Sequence, residues 1–445
     1  MVRPRSLAPA LLALLLARAG SASATTADPP APSRPDSLSH AQRVIQAYHE
    51  AGAAREAGRF QHYLQATDRA LALEPGHPVL MLHMARACAR TGDLDAAEGW
   101  LARVAATGIQ ADLDADAELA PLRARPGFAA ARDEMSRQAA PQGAAEVAFR
   151  LGEPDFLPEG IACDPLTEEF FVGSLRLGKI ARVDAAGGVS DFVPAGSGAL
   201  WSPLGMKVDV PRRLLWVCDT AGPYMVGGTP ADTARTTLAA FRLDDGSPVA
   251  RVALTDTSRA RGLNDCALGP DGSVYATDAA GGGVWMLRPG SSVLEALLPD
   301  GSLAAPNGID ISADGGLLYV AEYGLGIALV DLETLAIERL QAPEEFCTAY
   351  VDGLNRHEHT LVVVQNGRGL DRVVRLFLDE TGRRVEGMAV LAARLPEFDE
   401  PTTGCVAGGA YYFVANSQLR RLGRDGALSP ADPPRDFLIM RAALR

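Results

Sequence analysis

The chain is short of cysteine, histidine and positive charge. Six cysteines in 445 residues are too few for a disulfide-built scaffold. Lys and Arg number 42 against 55 Asp and Glu, a net charge of −13. That balance argues against a nucleic-acid binder, which needs basic patches to neutralise phosphates. It argues equally against a polybasic membrane-surface protein. Beyond the N-terminal segment no stretch reaches ~18 uninterrupted apolar residues, so no integral membrane segment is expected in the mature chain. What remains is ordinary: 47% apolar and 22% charged residues, the make-up of a globular chain. A length of 445 residues suggests two or three domains at ~100–200 residues each.

Arg3 and Arg5 precede the apolar run Leu11 to Leu16, and Ala22-Ser23-Ala24 reads as a small-residue cleavage site. This is the layout of a secretory signal peptide over residues 1–24. The mature protein is expected to be exported, to the periplasm or the extracellular space. Residues 25–39 are rich in Pro and Ser and read as a linker.

Residues 40–138 are rich in Ala, Leu, Arg and Glu and read as a small all-α domain. AREAGRF, ending at Phe60, and ARTGDL, ending at Leu94, repeat with turn glycines Gly58 and Gly92 34 residues apart. Pro75 stops the helical run before it. Ala51, Ala70, Ala85 and Ala97 are small residues where helices would cross closely. The pattern resembles the tetratricopeptide repeat, in two copies with a degenerate third from Glu118 to Arg132. Such arrays imply a protein partner on a concave face.

From residue 145 to 445 short β-rich runs alternate with Gly- and Asp-rich turns. One unit recurs six times, as PEGIACDPLTEEFFVGS, SPLGMKVDVPRRLLWVCDT, GLNDCALGPDGSVYATDA, PNGIDISADGGLLYVAEY, YVDGLNRHEHTLVVVQN and TTGCVAGGAYYFVAN. The spacing, roughly 43–60 residues, is that of a four-stranded blade. The expected fold is therefore mainly β: a six-bladed β-propeller preceded by the helical domain. Closing the ring needs a strand from one end of the chain. AEVAFRL (Ala145 to Leu151) and DFLIMRAAL (Asp436 to Leu444) both qualify.

One register carries the chemistry. The residues opening the innermost strands are Glu159, Leu204, Asn264, Asn307, Asp352 and Thr403, which would ring the central channel at one face. Buried carboxylates around one axis repel each other unless a cation neutralises them. Oxygen donors without His or Cys select a hard divalent ion, Ca²⁺ before Mg²⁺ or Mn²⁺. The ends of the second strands, Ser174, Asp219, Asp278, Glu322, Asn366 and Asn416, form a second polar ring at the same face. His357 and His359 are the two histidines of the propeller. They fall on the opposite face, which leaves no histidine base at the site. No GxSxG elbow is present. Cys163, Cys266 and Cys405 lie in innermost strands as packing residues. A Cys163–Cys405 pair across neighbouring blades is one option that the sequence does not decide.

PEGIACDP, APNGIDISADGGLLYVAEY, YVDGL and RGLNDCALGPDGSVYATD resemble segments of the regucalcin/gluconolactonase/luciferin-regenerating-enzyme family of propellers. The resemblance implies a metal held by Glu159, Asn307 and Asp352, with Asp352 also the catalytic base. It implies substrate binding by Arg261 and Asn264, with Asn264 reaching either ion or substrate. Arg261 sits one residue farther from Asn264 than the family pattern. The family's acidic substrate residue has no counterpart in the short loop from Ala279 to Gly283. Asp219, Asp278 and Glu322 are further candidates for substrate contact at the pocket mouth. The implied activity is metal-dependent hydrolysis of a small-molecule lactone or ester. The alternative from another class is a non-catalytic scaffold that joins a ligand-binding propeller to partner-binding repeats.

Overall fold

In the computed structural model the described residues are 38–222, 224–228, 232, 235–255, 259–423, 426–429 and 432–444. The segment expected to be a signal peptide, residues 1–24, and nearly all of the expected linker lie outside them. No helix among the described residues is long and apolar enough to cross a membrane.

Among the described residues five α-helices precede the strands: α1 (His40–Glu56), α2 (Phe60–Leu73), α3 (Pro78–Thr91), α4 (Leu94–Ala106) and α5 (Pro126–Gln138). Local chemistry sets their ends. Ser39 and Gln42 form a capping box on α1, and Asp93 accepts the Ala96 N–H at the start of α4. Gly58 and Gly92 take the left-handed conformation at the turns, with φ 67° and 92°. The helices thus form the hairpins α1–α2 and α3–α4 at the two expected glycines. Ala51, Ala70, Ala85 and Ala97 are all buried. The degenerate third unit departs from expectation. Pro121 sits inside its first half, Ala117–Leu122, which is a 3-10 turn, so α5 is its one α-helix.

The strands form six sheets, each four strands deep; in five of them the strands run in sequential order from the axis outward, with an added two-residue strand on the fifth, and the sixth takes its outermost strand from residues 146–151. This is a six-bladed β-propeller. The innermost strands are Pro158–Asp164, Pro203–Asp209, Leu263–Leu268, Pro306–Ile311, Val351–His357 and Gly404–Ala407. Both ends of the chain close the ring together. Phe437–Ala443 is the third strand of blade six, and Glu146–Leu151 pairs with it as the fourth.

Two sequence features shape the axis. In five of the six innermost strands the third register position is glycine. A Cβ on Gly353 would stand 2.5 Å from Thr403 Cα, and one on Gly308 2.6 Å from the Asp352 carbonyl oxygen. Glycine is what lets neighbouring innermost strands approach this closely. The second feature is a register break repeated in five blades, between Pro158 and Ile161, Pro203 and Met206, Leu263 and Cys266, Pro306 and Ile309, and Val351 and Leu354. Each break releases the second strand residue from the regular ladder and re-aims it. Those residues are Glu159, Leu204, Asn264, Asn307 and Asp352.

The helices sit on the face where the innermost strands begin. Ser39 Oγ donates to the Gly301 carbonyl at 2.8 Å, Gln110 N to Arg368 O at 2.7 Å, and Arg394 Nη2 to Gly108 O at 2.6 Å. His77 Nε2 lies 2.6 Å from Gly324 O. Every propeller partner here belongs to a loop of that face. Met81, Met84, Leu101 and Ile109 share one hydrophobic core with Tyr323, Ala349, Tyr350 and Leu370 of blades four and five.

Candidate active site

Asp352 is the best-anchored residue of the first ring. Its Oδ1 accepts from Asn307 Nδ2 at 2.7 Å and its Oδ2 from Asn366 Nδ2 at 2.5 Å. Burial pushes its carboxyl up to about 7. The two amide bonds pull it down, and the Glu400 and Asp265 charges add to the rise. Glu159 is 8% exposed. Burial first, then the charges of Asp352 and Glu400, hold its carboxyl well above the usual range. Glu159 Oε2 is buried without a hydrogen-bond partner. Asn264 is also 8% exposed. The first ring therefore gathers two carboxylates and two amides at the top of the channel, beside apolar Leu204 and half-buried Thr403. Among the described residues no three of His, Cys, Asp and Glu cluster as a metal site; the candidate set relies on amide oxygens as well as carboxylates.

The second ring is used differently from the expectation. Asp219 and Asp278 are fully buried and Glu322 is 1% exposed. Asp219 Oδ1 accepts the N–H groups of Trp201 and Ser202, both at 2.9 Å, and Oδ2 faces Arg251 at 3.4 Å. Asp278 Oδ1 accepts from Gly262 N and Gly281 N at 2.9 Å, and Oδ2 from Arg261 at 3.1 Å. Glu322 accepts from Ala304 N at 2.6 Å and pairs with Arg339. Ser174 donates to Phe156 O, and Asn416 accepts from Leu438 N at 2.6 Å. In blades one to four these side chains clamp the loop that delivers the innermost strand to the axis, whereas Asn416 holds the third strand of blade six. The carboxylates of Asp219, Asp278 and Glu322 are already engaged on both oxygens and do not stand free at a pocket mouth. Arg261 is 3% exposed and pairs with Asp278 and Asp300, the latter at 2.5 Å, over the Trp285 ring. Asn366 alone of this ring reaches the first.

Four residues went unnoticed in the sequence. Asp265 takes the register position that is glycine in the other blades, and burial pushes its carboxyl up to about 6. The signal was there in LND, where the other copies read PEG, PLG, PNG and VDG. Glu400 precedes blade six with φ 69°. Lys207 and Asp310 belong to a lower layer, three residues past the first ring, with Nζ and Oδ2 3.5 Å apart. Burial opposes the Lys207 ammonium, but Asp310 and Asp265 outweigh it and raise its pKa. The Asn355 amide, oriented by its neighbours, presents its oxygen to Lys207 Nζ at 2.6 Å and its nitrogen to Tyr411 Oη at 2.9 Å. The lower channel thus carries its own cation, whereas the carboxylates of the first ring have none in contact. His357 is half-buried and His359 exposed at the opposite end of blade five, as expected.

The fold and this cluster define a class: a six-bladed propeller with an acidic, amide-lined site on its axis and helices over that face. No family model matches the chain, and no curated protein matches it. Among solved structures it is similar to a luciferin-regenerating enzyme (14% identity, TM-score 0.48, covering 68% of this chain and 95% of that one). It is similar also to a gluconolactonase from Xanthomonas campestris (16%, 0.46, 70% and 93%). A third is regucalcin, a calcium-binding protein from Agrobacterium tumefaciens (15%, 0.47, 67% and 96%). These likenesses concern the propeller shape and carry nothing about the chemistry at the axis.

Proposed function

We propose that the protein is a metal-dependent hydrolase of a small lactone or ester, working at the mouth of the propeller channel. The observation that carries this reading is the buried Glu159 Oε2 without a partner, near enough to Asp352 that the Asp352 charge helps hold the Glu159 carboxyl high. Burying such a pair is costly unless a cation offsets it. The donor chemistry fits a hard ion: Glu159, Asp352 and Asn307 would hold it, with Asn264 completing the set, and Ca²⁺ suits oxygen ligands of this kind best. A bound ion of this class polarises an ester carbonyl and acidifies water. Asn307 and Asn366 fix the Asp352 carboxylate from two sides. Asp352 would then accept the proton of the attacking water at a carboxylate oxygen.

The test is calorimetric titration of the EDTA-stripped protein with Ca²⁺, followed by a lactone and aryl-ester screen with and without the ion. Binding in the wild type, lost in Asp352→Ala together with turnover, supports the reading. Absence of binding by Ca²⁺, Mg²⁺ and Mn²⁺ would remove it. A second reading, a ligand-binding or partner-recruiting scaffold without catalysis, draws on the internal engagement of Arg261, Asp219, Asp278 and Glu322. It would stand if the ion binds and no substrate turns over.

A further inference from the structure

We infer that Cys163 and Cys405 form a disulfide-forming site that locks blade one to blade six, taking a low-molecular-weight disulfide as its oxidant. All six cysteines are reduced in the structure. Four of them meet as pairs across blade seams: Cys163 with Cys405 between blades one and six, and Cys218 with Cys266 between blades two and three. Cys163 lies in the innermost strand of blade one. Its Sγ stands 3.2 Å from the carbonyl of Val406, the residue after Cys405 in the innermost strand of blade six.

The two pairs differ in access. Cys218 and Cys266 are fully buried, and burial holds the Cys218 thiol well above its usual pKa. Cys163 is half-buried. The bond from Cys405 draws its pKa down, helped by the Lys207 ammonium, while burial raises that of Cys405. Cys163 is the more exposed of the two and so the attacking thiol, with buried Cys405 as the resolving one. A cavity of about 550 Å³ flanks the same seam. It is lined in part by Phe170 and Tyr412, the cross-strand neighbours of Cys163 and Cys405, with Asp164, Ala407 and Gly408 beside them. It can hold a small disulfide beside the seam, although neither cysteine is itself among its lining residues.

The chemistry balances. The Cys163 thiolate attacks one sulfur of the small disulfide and expels the first small thiol. The Cys405 thiol then loses its proton and attacks Cys163 Sγ, expelling the second. The protein dithiol is oxidised to a disulfide, and the small disulfide is reduced to two thiols. This seam is also where the ends of the propeller chain meet, held by the pairing of Glu146–Leu151 with Phe437–Ala443. A covalent link there restrains the unfolded chain across nearly the whole propeller, the condition under which a cross-link constrains most.

The experiment incubates the full chain with oxidised glutathione, counts free thiols and maps peptides without reduction. The expected result is loss of two of the six thiols, one Cys163–Cys405 peptide, and a melting temperature several degrees higher that dithiothreitol reverses. Cys405→Ser should stop at a glutathione adduct on Cys163, and Cys218→Ser should still form the link. Retention of all six thiols, a link at Cys218–Cys266 instead, a wild type that stops at the glutathione adduct, or a link with no thermal shift would each overturn the proposal. The wild-type map decides even if a variant fails to fold, and no outcome depends on metal binding or hydrolysis.

Discussion

The Asn366 side chain joins Tyr323 to Asp352: it accepts the tyrosine hydroxyl at 2.7 Å and donates to Asp352 Oδ2 at 2.5 Å. It also donates to Pro401 O at 2.7 Å, at the start of blade six. Tyr323 belongs to the core shared with the helices. The orientation of the axial carboxylate is therefore tied to packing beneath the helical cap, through one amide. A partner that holds a ligand in place typically accounts for a 10–100-fold change in metal affinity. Asn366→Ala should weaken Ca²⁺ binding by roughly that factor while the circular-dichroism spectrum stays native. Unchanged affinity would show that Asn307 alone suffices to set Asp352.

Protons and a divalent ion compete for the same oxygens. In the metal-free protein Asp352 titrates at about 7, above the unfolded value of about 3.9. Between those values the folded state holds more protons than the unfolded one. Metal-free stability should thus fall as pH rises from about 4 to about 7, and level off above. Ion affinity should run the other way, rising with pH through the same window by at most about tenfold per unit for one displaced proton. Melting curves from pH 4.5 to 8, with and without Ca²⁺, read both slopes. Asp352→Asn should flatten the metal-free slope. A metal-free protein that gains stability toward pH 7 would contradict the raised carboxyl.

The close approach of blades five and six rests on Gly353, whose added Cβ would meet Thr403 Cα at 2.5 Å. The neighbour is backbone at the entry to the innermost strand Gly404–Ala407 and has little room to retreat. Gly353→Ala should cost about 1–3 kcal/mol, as overpacking does, measured by urea denaturation. A neutral result would mean that the innermost strands can separate freely at the axis.

The blades were legible because each carries its own local signature, an apolar strand pair with an Asp/Gly turn, and the first ring because it occupies one register in every copy. The clamps were not. Asp219 and Asp278 looked like mouth residues because they end a strand at the right face. What turns them inward is backbone N–H groups of the loop entering their own blade, and a string of residues does not display those. Asp265 was passed over because the register singled out was the residue before it, Asn264, and Glu400 because it lies in a connector. The closing strand was ambiguous because both candidates belong to the same blade, paired with each other across the whole propeller sequence. Which face the helices cover depends on contacts such as Ser39 with Gly301, which no local pattern encodes.

Those contacts bear on how the molecule unfolds. Leu101 in α4 is fully buried, in a core that also contains Tyr323, Tyr350 and Leu370 of the propeller. Helices and blades four and five therefore bury apolar surface against each other, and neither side keeps its core intact alone. A salt bridge crosses the same boundary: Arg339, held also by Glu322 of its own blade, pairs with Glu74 at 2.8 Å. Parts that share a core melt together. Calorimetry should show one transition for the whole chain. Leu101→Ala should cost about 2–5 kcal/mol and move that single transition down without splitting it. Two resolved transitions, with only the lower one shifted by the mutation, would mean that the helices are an independently stable cap resting on a self-sufficient propeller.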